Sequence, residues 1–417
     1  MKLIGRWDSA GLRRYTSNML WALFARITNI TISFFVTIYL IRYLGPENYG
    51  QLSYAVSFVG LFSIISTLGI DSILYRDLIK YPDKKNLYLG TSFFLKLGAG
   101  VIATLLTIIF AYSLSPNDVS RLVIIMLSST FIFNAFSVIH FEFQANVDQK
   151  YVSIITIAVV FLLNLLKLTV VWLGLGILYI GSILLLEAIL YAVFFSFART
   201  VKYGNLLKWR FDINVALQIL QDSWPFIFIA AFSTIYARID QVMLKQLLGA
   251  TSVGLYDAAV RLSEVWIIIP SIITASLFPA IIKAKQADSA EYKKRLLILI
   301  GFTTIISGLM AGFISLLASP IVLLIYGSTF FASIPVVYIY VWSGVLTSLG
   351  TISHFFLTAE NMRKTLFFSS GGAMILNVFL NILFIPQYGI VGAAWSTLIS
   401  YFILILPILL IFKIKAK

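Results

Sequence analysis

The feature that most constrains this chain is a succession of apolar runs, each long enough to cross a lipid bilayer. At ~1.5 Å of rise per residue, about 20 helical residues span a hydrocarbon core ~30 Å thick, and a barrel strand needs only ~9–11. The sequence therefore predicts an all-α integral membrane protein with twelve transmembrane helices, at 15–41, 49–75, 87–112, 121–143, 151–173, 177–198, 213–247, 252–282, 295–318, 332–357, 365–385 and 390–412.

Composition supports this prediction. Hydrophobic residues make up 60% of the 417 and charged residues 12%, and the mean hydropathy is +0.96. A typical soluble domain has ~45–50% apolar and ~25% charged residues. The connections between runs are short, so no segment is expected to fold as an aqueous domain.

Other sequence classes are disfavoured. The chain has no cysteine, which excludes disulfides and thiol chemistry, and no motif calls for a cofactor or a metal. The basic N-terminus resembles the charged region of a signal peptide. However, the apolar run that follows is too long and lacks a small-x-small cleavage site, so it is interpreted as an uncleaved first span.

Lysine and arginine predict the orientation, because short cytoplasmic connections accumulate them. With the N-terminus inside, the inner segments hold 23 of the 31 basic residues, and the outer connections hold only Arg121. Both termini are therefore predicted to be cytoplasmic. The net charge of +14 follows from this topology, so no nucleic-acid partner is inferred.

Three sequence echoes indicate an internal duplication. Leu44-Gly45 followed by Gly50 matches Leu248-Gly249 followed by Gly254, at an offset of 204. "HFEFQANVDQK" at 140–150 matches "HFFLTAENMRK" at 354–364 (offset 214), and Leu163-Asn164 matches Leu376-Asn377 (offset 213). The order and near-constant offset predict two tandem six-helix lobes, 1–205 and 206–417, in the same orientation with a central cavity between them. Each lobe should begin with a helical hairpin whose outer turn needs glycine.

Nine charged side chains lie too deep in the predicted spans to reach the bilayer surface easily. Each costs about 2.5–3.5 kcal/mol if it faces lipid, so each should face water or a partner. The basic members are the candidate substrate-binding residues: Arg26, Lys96, Lys167, Arg238 and Arg261. The acidic members are the candidate ion-coupling residues: Glu187, Asp240, Asp257 and Glu264. No residue is a catalytic candidate.

The basic residues of the first half carry most of the functional hypothesis. Arg26, Lys96 and Lys167 have no acid at helical spacing in their own spans, so this half has spare positive charge offset only by Glu187. A positive, hydrated cavity suits a substrate that bears phosphate or carboxylate. The alternative is that these groups pair with acids elsewhere and only lock the bundle.

Structural roles remain open for other candidates. Asp257 and Arg261 stand at i, i+4 and favour an intrahelical ion pair over ligand binding. Asp240 and Glu264 are possible proton or sodium sites. His140 and His354 occupy equivalent positions in the two halves, which favours a repeated structural role over catalysis.

Four phrases carry a resemblance to a known family: "YLGPENYGQLSYAVSF", "FQANVDQKYVS", "RIDQVMLKQLLGATSVGLYDAAVRLSEV" and "YGIVGAAWSTLIS". Together, and over essentially the whole chain, they resemble the Wzx polysaccharide transport proteins. These are O-antigen or capsule repeat-unit flippases of the multidrug/oligosaccharidyl-lipid/polysaccharide exporter superfamily.

The resemblance implies two six-helix lobes with spans 1, 2, 7 and 8 around a central cavity. It implies ion-coupled movement of an undecaprenyl-diphosphate-linked oligosaccharide, from the lipopolysaccharide pathway or a related one, across the cell inner membrane. A polysaccharide polymerase and a chain-length regulator are the implied protein partners. Arg26 and Arg261 with Glu264 lie where superfamily members carry important charges. Twelve spans rather than fourteen argue against the peptidoglycan precursor of the related lipid II flippases.

Two other functions are weighed against this one. A drug or small-solute exporter would share the fold, but the unpaired basic residues favour an anionic substrate. An intramembrane polymerase or acyltransferase would typically expose a long outer loop or a paired histidine and acid. The longest outer candidate, "SPIVLLIYGSTFFAS" at 319–333, is short and apolar.

Overall fold

The computed structural model describes residues 9–114 and 119–413, and these form helices and turns without any strand. The first eight helices are α1 Ser9–Thr67, α2 Asp71–Lys80, α3 Lys85–Leu114, α4 Val119–Ser128, α5 Thr130–Phe133, α6 Ser137–Ala145, α7 Gln149–Trp172 and α8 Ile177–Tyr203. The remaining ones are α9 Ile213–Leu248, α10 Ala250–Glu264, α11 Ile268–Ala287, α12 Ser289–Leu316, α13 Ala318–Ile325, α14 Ile334–Ala359 and α15 Arg363–Ile405. A 3₁₀ helix follows at Leu406–Lys413.

Ten helical stretches among the described residues are long and apolar enough to cross a membrane. This confirms an all-helical, multi-pass membrane protein. The two longest, Thr16–Lys80 and Arg363–Ile411, each contain a break at a glycine with positive φ: Gly45 at 67° and Gly389 at 60°. Gly249 at the start of α10 has φ 89°. The glycines of both repeated motifs thus adopt the left-handed conformation expected of their turns.

Several predicted spans are interrupted, among them the one at 49–75, which breaks between α1 and α2 at Leu68-Gly69. The span predicted at 121–143 consists of α4, α5, a 3₁₀ turn at Asn134–Phe136 and α6. The span predicted at 252–282 consists of α10, a 3₁₀ turn at Val265–Ile267 and α11. Hydropathy alone does not register such changes of helix type, because the residues on both sides are equally apolar.

Contacts divide the chain into two compact units. The first unit contains the described residues up to Tyr43 together with Phe62–Ile227, and the second contains Leu44–Leu61 together with the described residues from Phe228 onward. The chain passes between the units three times: inside α1 at Tyr43–Leu44 and again at Leu61–Phe62, and inside α9 at Ile227–Phe228. The first crossing lies next to Gly45, whose φ of 67° interrupts the helix.

The first unit is built around a core of aliphatic and aromatic side chains, among them Leu74, Val138, Phe143, Val152 and Ile219. An ion-pair network closes one end. Arg199 donates from Nε to Glu142 (3.0 Å) and from a terminal nitrogen to the Gly204 carbonyl (2.6 Å), and Lys85 lies 3.1 Å from the other Glu142 oxygen. Arg199 and Glu142 are almost fully buried.

The second unit has its main core between α11, α12 and α14, including Ile281, Leu296 and Phe356. The face of α12 that carries Ile305, Leu309, Phe313 and Leu316 is 63–83% exposed. Such a stripe is stable only against lipid, as expected for a membrane helix.

The repeated glycines pack against each other in the second unit. A Cβ on Gly50 would lie 1.8 Å from the Ala250 carbonyl oxygen, and one on Gly254 would lie 1.9 Å from the Pro46 carbonyl oxygen. The two motifs found by sequence comparison therefore form a reciprocal helix crossing, in which any side chain at either glycine would force the helices apart.

Candidate functional site

A buried carboxylate forms the centre of a polar cluster in the second unit. Asp240 on α9 is 3% exposed. One of its oxygens accepts hydrogen bonds from the hydroxyls of Tyr256 and Thr397, each at 2.5 Å, and the other accepts from Asn381 Nδ2 at 2.6 Å. Asn377 Oδ1 accepts from the same Asn381 nitrogen at 3.2 Å.

If Asp240 is ionised, no cationic side chain in the described part of the chain neutralises it. Asp240 forms no ion pair with any residue in the described part of the chain, and Asn381 Oδ1 and Asn377 Nδ2 have no hydrogen-bond partner there. Burial of an unpaired carboxylate is costly unless a proton or a cation neutralises it. The carboxylate, amide and hydroxyl oxygens form the hard donor set that a small cation such as Na⁺ prefers.

A second group of charges surrounds Arg261 on α10. Its Nε donates to Asp257 Oδ2 at 2.8 Å, which is the intrahelical pair that the i, i+4 spacing predicts, and the same carboxylate oxygen accepts from the Tyr49 hydroxyl. The Asp257 side chain is 3% exposed, whereas that of Arg261 is 43% exposed. Arg261 thus pairs with the acid through Nε, while its side chain as a whole stays partly accessible.

Glu264 and Arg238 complete this group. The Tyr340 hydroxyl donates to Glu264 Oε1 at 3.1 Å. Arg238 lies within electrostatic range of both Asp257 and Glu264. The structure therefore brings four predicted residues together, two cationic and two anionic. The rings of Tyr256 and Tyr340 meet edge to face at 5.9 Å, so this group adjoins the Asp240 cluster.

In the first unit, Lys96 is fully buried. Its ammonium group pairs with Asp71 of α2 and donates to Ser137 Oγ at 2.7 Å. Asp71 is 43% exposed, so the pair meets solvent through the acid. As the structure stands, Lys96 binds a partner within the protein rather than presenting a free charge.

The other first-unit candidates are more open. Lys167 on α7 and Glu187 on α8 are both half-buried, and they lie close enough for their opposite charges to attract each other. Arg26 on α1 is exposed. Further along the same helix, Ser33 Oγ donates to Asn29 Oδ1 at 3.0 Å, so α1 also carries uncharged polar side chains beyond Arg26.

Several residues were missed by sequence reasoning. Tyr256, Asn377, Asn381 and Thr397 hold Asp240, yet uncharged polar residues are common enough in membrane helices that none stood out. A signal existed for Asn377, because it is the counterpart of Asn164 in the repeat. Asp71 lies near the end of the span predicted at 49–75, and its contact with Lys96 depends on packing between helices.

Comparison with known proteins agrees with the helical architecture. A multidrug resistance MATE family transporter of the MOP superfamily, in an inward-facing conformation, is similar with a TM-score of 0.78 at 16% identity, over 92% of this chain and 95% of that one. The lipid II flippase MurJ is similar with a TM-score of 0.75 at 15% identity, over 95% and 87%. The chain shares the fold of these two transport proteins.

Relatives in sequence point to polysaccharide synthesis. AglR, a probable flippase of Haloferax volcanii, is 27% identical over 177 residues, which is 40% of this chain and 35% of the relative. Agl15, a probable low-salt glycan biosynthesis flippase of the same organism, is 24% identical over 57% of this chain and 52% of the relative. The aligned parts thus span about a third and a half of these two relatives.

A third relative aligns over nearly its full length. The capsular polysaccharide biosynthesis protein CapF of Staphylococcus aureus is 24% identical over 409 residues, 93% of this chain and 97% of the relative. The family described as polysaccharide biosynthesis protein matches residues 15–285. The resemblance found in the sequence is thereby confirmed, and the chain belongs to the polysaccharide biosynthesis protein family.

Proposed function

We propose that this protein is a flippase that moves an undecaprenyl-diphosphate-linked oligosaccharide repeat unit from the inner to the outer leaflet. Support comes from its family, from relatives named as probable flippases and from a fold shared with transporters. The observation that carries the proposal is that cationic side chains stay accessible within membrane-spanning helices of such a protein: Arg26 and Arg261.

The chemistry of the substrate matches these groups. A diphosphate is the costly part of the lipid to move through hydrocarbon, and arginine binds phosphate oxygens with two parallel hydrogen bonds. Arg26, Arg238 and Arg261 are proposed to bind the diphosphate and any sugar carboxylates, with Lys167 contributing charge. Lys96 would contact the substrate only after its ammonium group has released Asp71. The polyprenyl tail stays at the lipid-facing surface of the protein, and no bond is made or broken.

The Asp240 cluster is proposed as the coupling site. A proton or Na⁺ bound there would neutralise the buried carboxylate, and its release would leave an uncompensated charge. Such a site biases a transporter between two states in proportion to its difference in ion affinity. Antiport of this ion would drive alternating access, with Glu187, Asp257 and Glu264 as further acidic candidates.

The proposed architecture has twelve spans, since Thr16–Lys80 and Arg363–Ile411 each count as two around their glycine breaks. The lobes would be 1–205 and 206–417, in the plasma (inner) membrane with both termini cytoplasmic. Residues 1–8 and 414–417 lie outside the described part. O-antigen, lipopolysaccharide or capsule synthesis, with a polymerase and a chain-length regulator as partners, is the proposed setting.

A drug or small-solute exporter is the rival function, favoured by the likeness to the MATE transporter fold. The two proposals differ in what accumulates when the protein is removed. Deletion should trap lipid-linked repeat units on the cytoplasmic face and abolish the surface polysaccharide. An unchanged surface polysaccharide would reject the flippase and favour the rival.

Complementation of that deletion tests the residue that carries the proposal. Arg26→Gln should reduce surface polysaccharide by at least about tenfold, the effect expected from ~1.4 kcal/mol of lost substrate stabilisation. Arg121→Gln is the matched control, because Arg121 stacks on Tyr112 (4.8 Å) away from the proposed site. Full complementation by Arg26→Gln would assign Arg26 a merely structural role.

A further inference from the structure

An apolar groove of about 610 Å³ lies on the first unit. Its lining includes Leu68 at the end of α1, then Phe94, Gly98 and Ile102 on α3, and Phe211 and Leu220 at the start of α9. The volume is within the range of small-molecule binding pockets, and every lining residue is apolar. Neither the acidic clusters nor the basic candidates described above contribute to it.

The wall that contains Phe211 is fixed in place. Arg210, the residue before Phe211, packs its backbone against Gly90. A Cβ on Gly90 would lie 2.4 Å from the Arg210 carbonyl oxygen. The amide of Arg210 donates to the Asn86 carbonyl at 3.3 Å, and that of Asp212 donates to Thr91 Oγ1 at 3.2 Å. The segment is thus held on α3 from both sides of Phe211, and the Phe94 and Phe211 rings meet at 6.2 Å.

The groove is open at the protein surface, and its base at Gly98 has no side chain. Phe94, Ile102 and Phe211 are 48%, 54% and 49% exposed. No heavy atom lies within 4 Å of the position that a Cβ on Gly98 would occupy. The space above Gly98 is therefore available to a chain that enters from the lipid.

A cationic group stands at the end of the groove that the predicted topology places on the cytoplasmic side. Arg210 immediately precedes Phe211, is exposed, and has no ion-pair partner among the described residues. Nearby, Arg76 of α2 pairs with Asp222 at 2.7 Å, which ties α2 to the stretch of α9 that supplies Leu220. A ligand with an apolar chain and an anionic head would match both features together.

We propose that this groove holds the isoprenoid chain of the lipid carrier, with Arg210 contacting its phosphate. The inference rests on the proposed flippase function and deepens it, because it assigns the tail to the α3–α9 side of the protein. Flat aromatic walls suit the planar double bonds and methyl branches of an isoprenoid. The occupant is loaded from the inner leaflet, where lipid-linked repeat units are made.

Cross-linking from a single cysteine tests the occupant directly, because the natural chain contains none. Ile102→Cys carries a benzophenone label in vesicles of phosphatidylethanolamine and phosphatidylglycerol that contain a few per cent undecaprenyl phosphate. The matched control is Ile305→Cys on α12, which is 64% exposed and at a similar distance from its helix start. We expect several-fold enrichment of undecaprenyl phosphate adducts at position 102 relative to 305.

Two further variants separate groove binding from general lipid contact. Each is introduced into the Ile102→Cys protein. Gly98→Phe should fill the groove and abolish the enrichment of undecaprenyl phosphate adducts. Gly301→Phe is the control, because a Cβ on Gly301 also meets nothing within 4 Å, and it should leave the enrichment unchanged. Arg210→Gln should weaken it. Equal adducts of undecaprenyl phosphate and phospholipid at both positions, in protein that complements the deletion, would overturn the groove assignment and leave the flippase function standing. Protein that fails to complement would instead challenge the flippase function itself.

Discussion

At the scale of single residues, ion pairs form both within one helix and between helices. Helical periodicity alone places Asp257 and Arg261 on one face, and the structure pairs them. The Lys96–Asp71 and Arg199–Glu142 pairs join residues far apart in the chain. Such contacts depend on how helices pack, which local spacing does not determine.

The Asp240 cluster leads to a prediction about ion coupling. Asp240→Asn keeps the shape and can still accept hydrogen bonds from Tyr256 and Thr397, but it lacks the charge that would bind a proton or Na⁺. Transport by the purified variant in vesicles should lose its response to an imposed Na⁺ or pH gradient. Thermal stability should be unchanged or higher, because a buried unpaired carboxylate is removed.

Asp83→Asn is the control for this experiment, since Asp83 is exposed on the 3₁₀ turn Pro82–Lys84. It should retain the gradient response of the natural protein. An Asp240→Asn variant that still responds to the gradient would move the coupling site to another acid, with Glu264 the next candidate.

The Arg199 network leads to a prediction about stability. Arg199→Leu leaves Glu142 buried with only Lys85 beside it, and breaking a buried ion pair costs about 3–5 kcal/mol. Arg295→Leu disrupts a pair whose members are 45% and 39% exposed, for which a loss below about 1 kcal/mol is expected. Thermal unfolding in detergent compares the two, and equal shifts would contradict the structural role assigned to Arg199.

At the scale of helices, the apolar runs predicted long membrane helices correctly, but twelve spans were expected and ten candidate stretches are found among the described residues. The glycines of the repeated motifs were predicted to form turns, and Gly45 and Gly249 have positive φ. The reciprocal packing of Gly50 and Gly254 was not predicted, because it requires the two copies of the motif to meet in space.

This helix crossing leads to a prediction for glycine substitution. Gly50→Val should separate α1 from α10, because its Cβ would overlap the Ala250 carbonyl. We expect a lower unfolding temperature and loss of complementation. Gly301→Val introduces the same side chain where the space is open, so it measures the cost of valine in a helix alone. Identical behaviour of the two variants would show that the crossing is not required.

At the scale of the whole molecule, hydropathy predicted a multi-pass membrane protein, and the resemblance carried by four sequence phrases predicted the polysaccharide transport type. The helical fold confirms the first prediction, and the family match confirms the second. The substrate and the ion depend on a few polar groups, such as Asp240 and Arg261, whose surroundings come from several helices at once. Those surroundings are what the structure adds to the sequence.

Reconstituted transport is the most direct test of the central claim. Purified protein in sealed vesicles receives a fluorescent undecaprenyl-diphosphate oligosaccharide in one leaflet, and a membrane-impermeant glycosidase reports how much has crossed. We expect wild-type protein to make most of the lipid accessible and Arg26→Gln to leave it near the level of protein-free vesicles. Equal accessibility with and without wild-type protein, under an imposed Na⁺ or pH gradient, would contradict it.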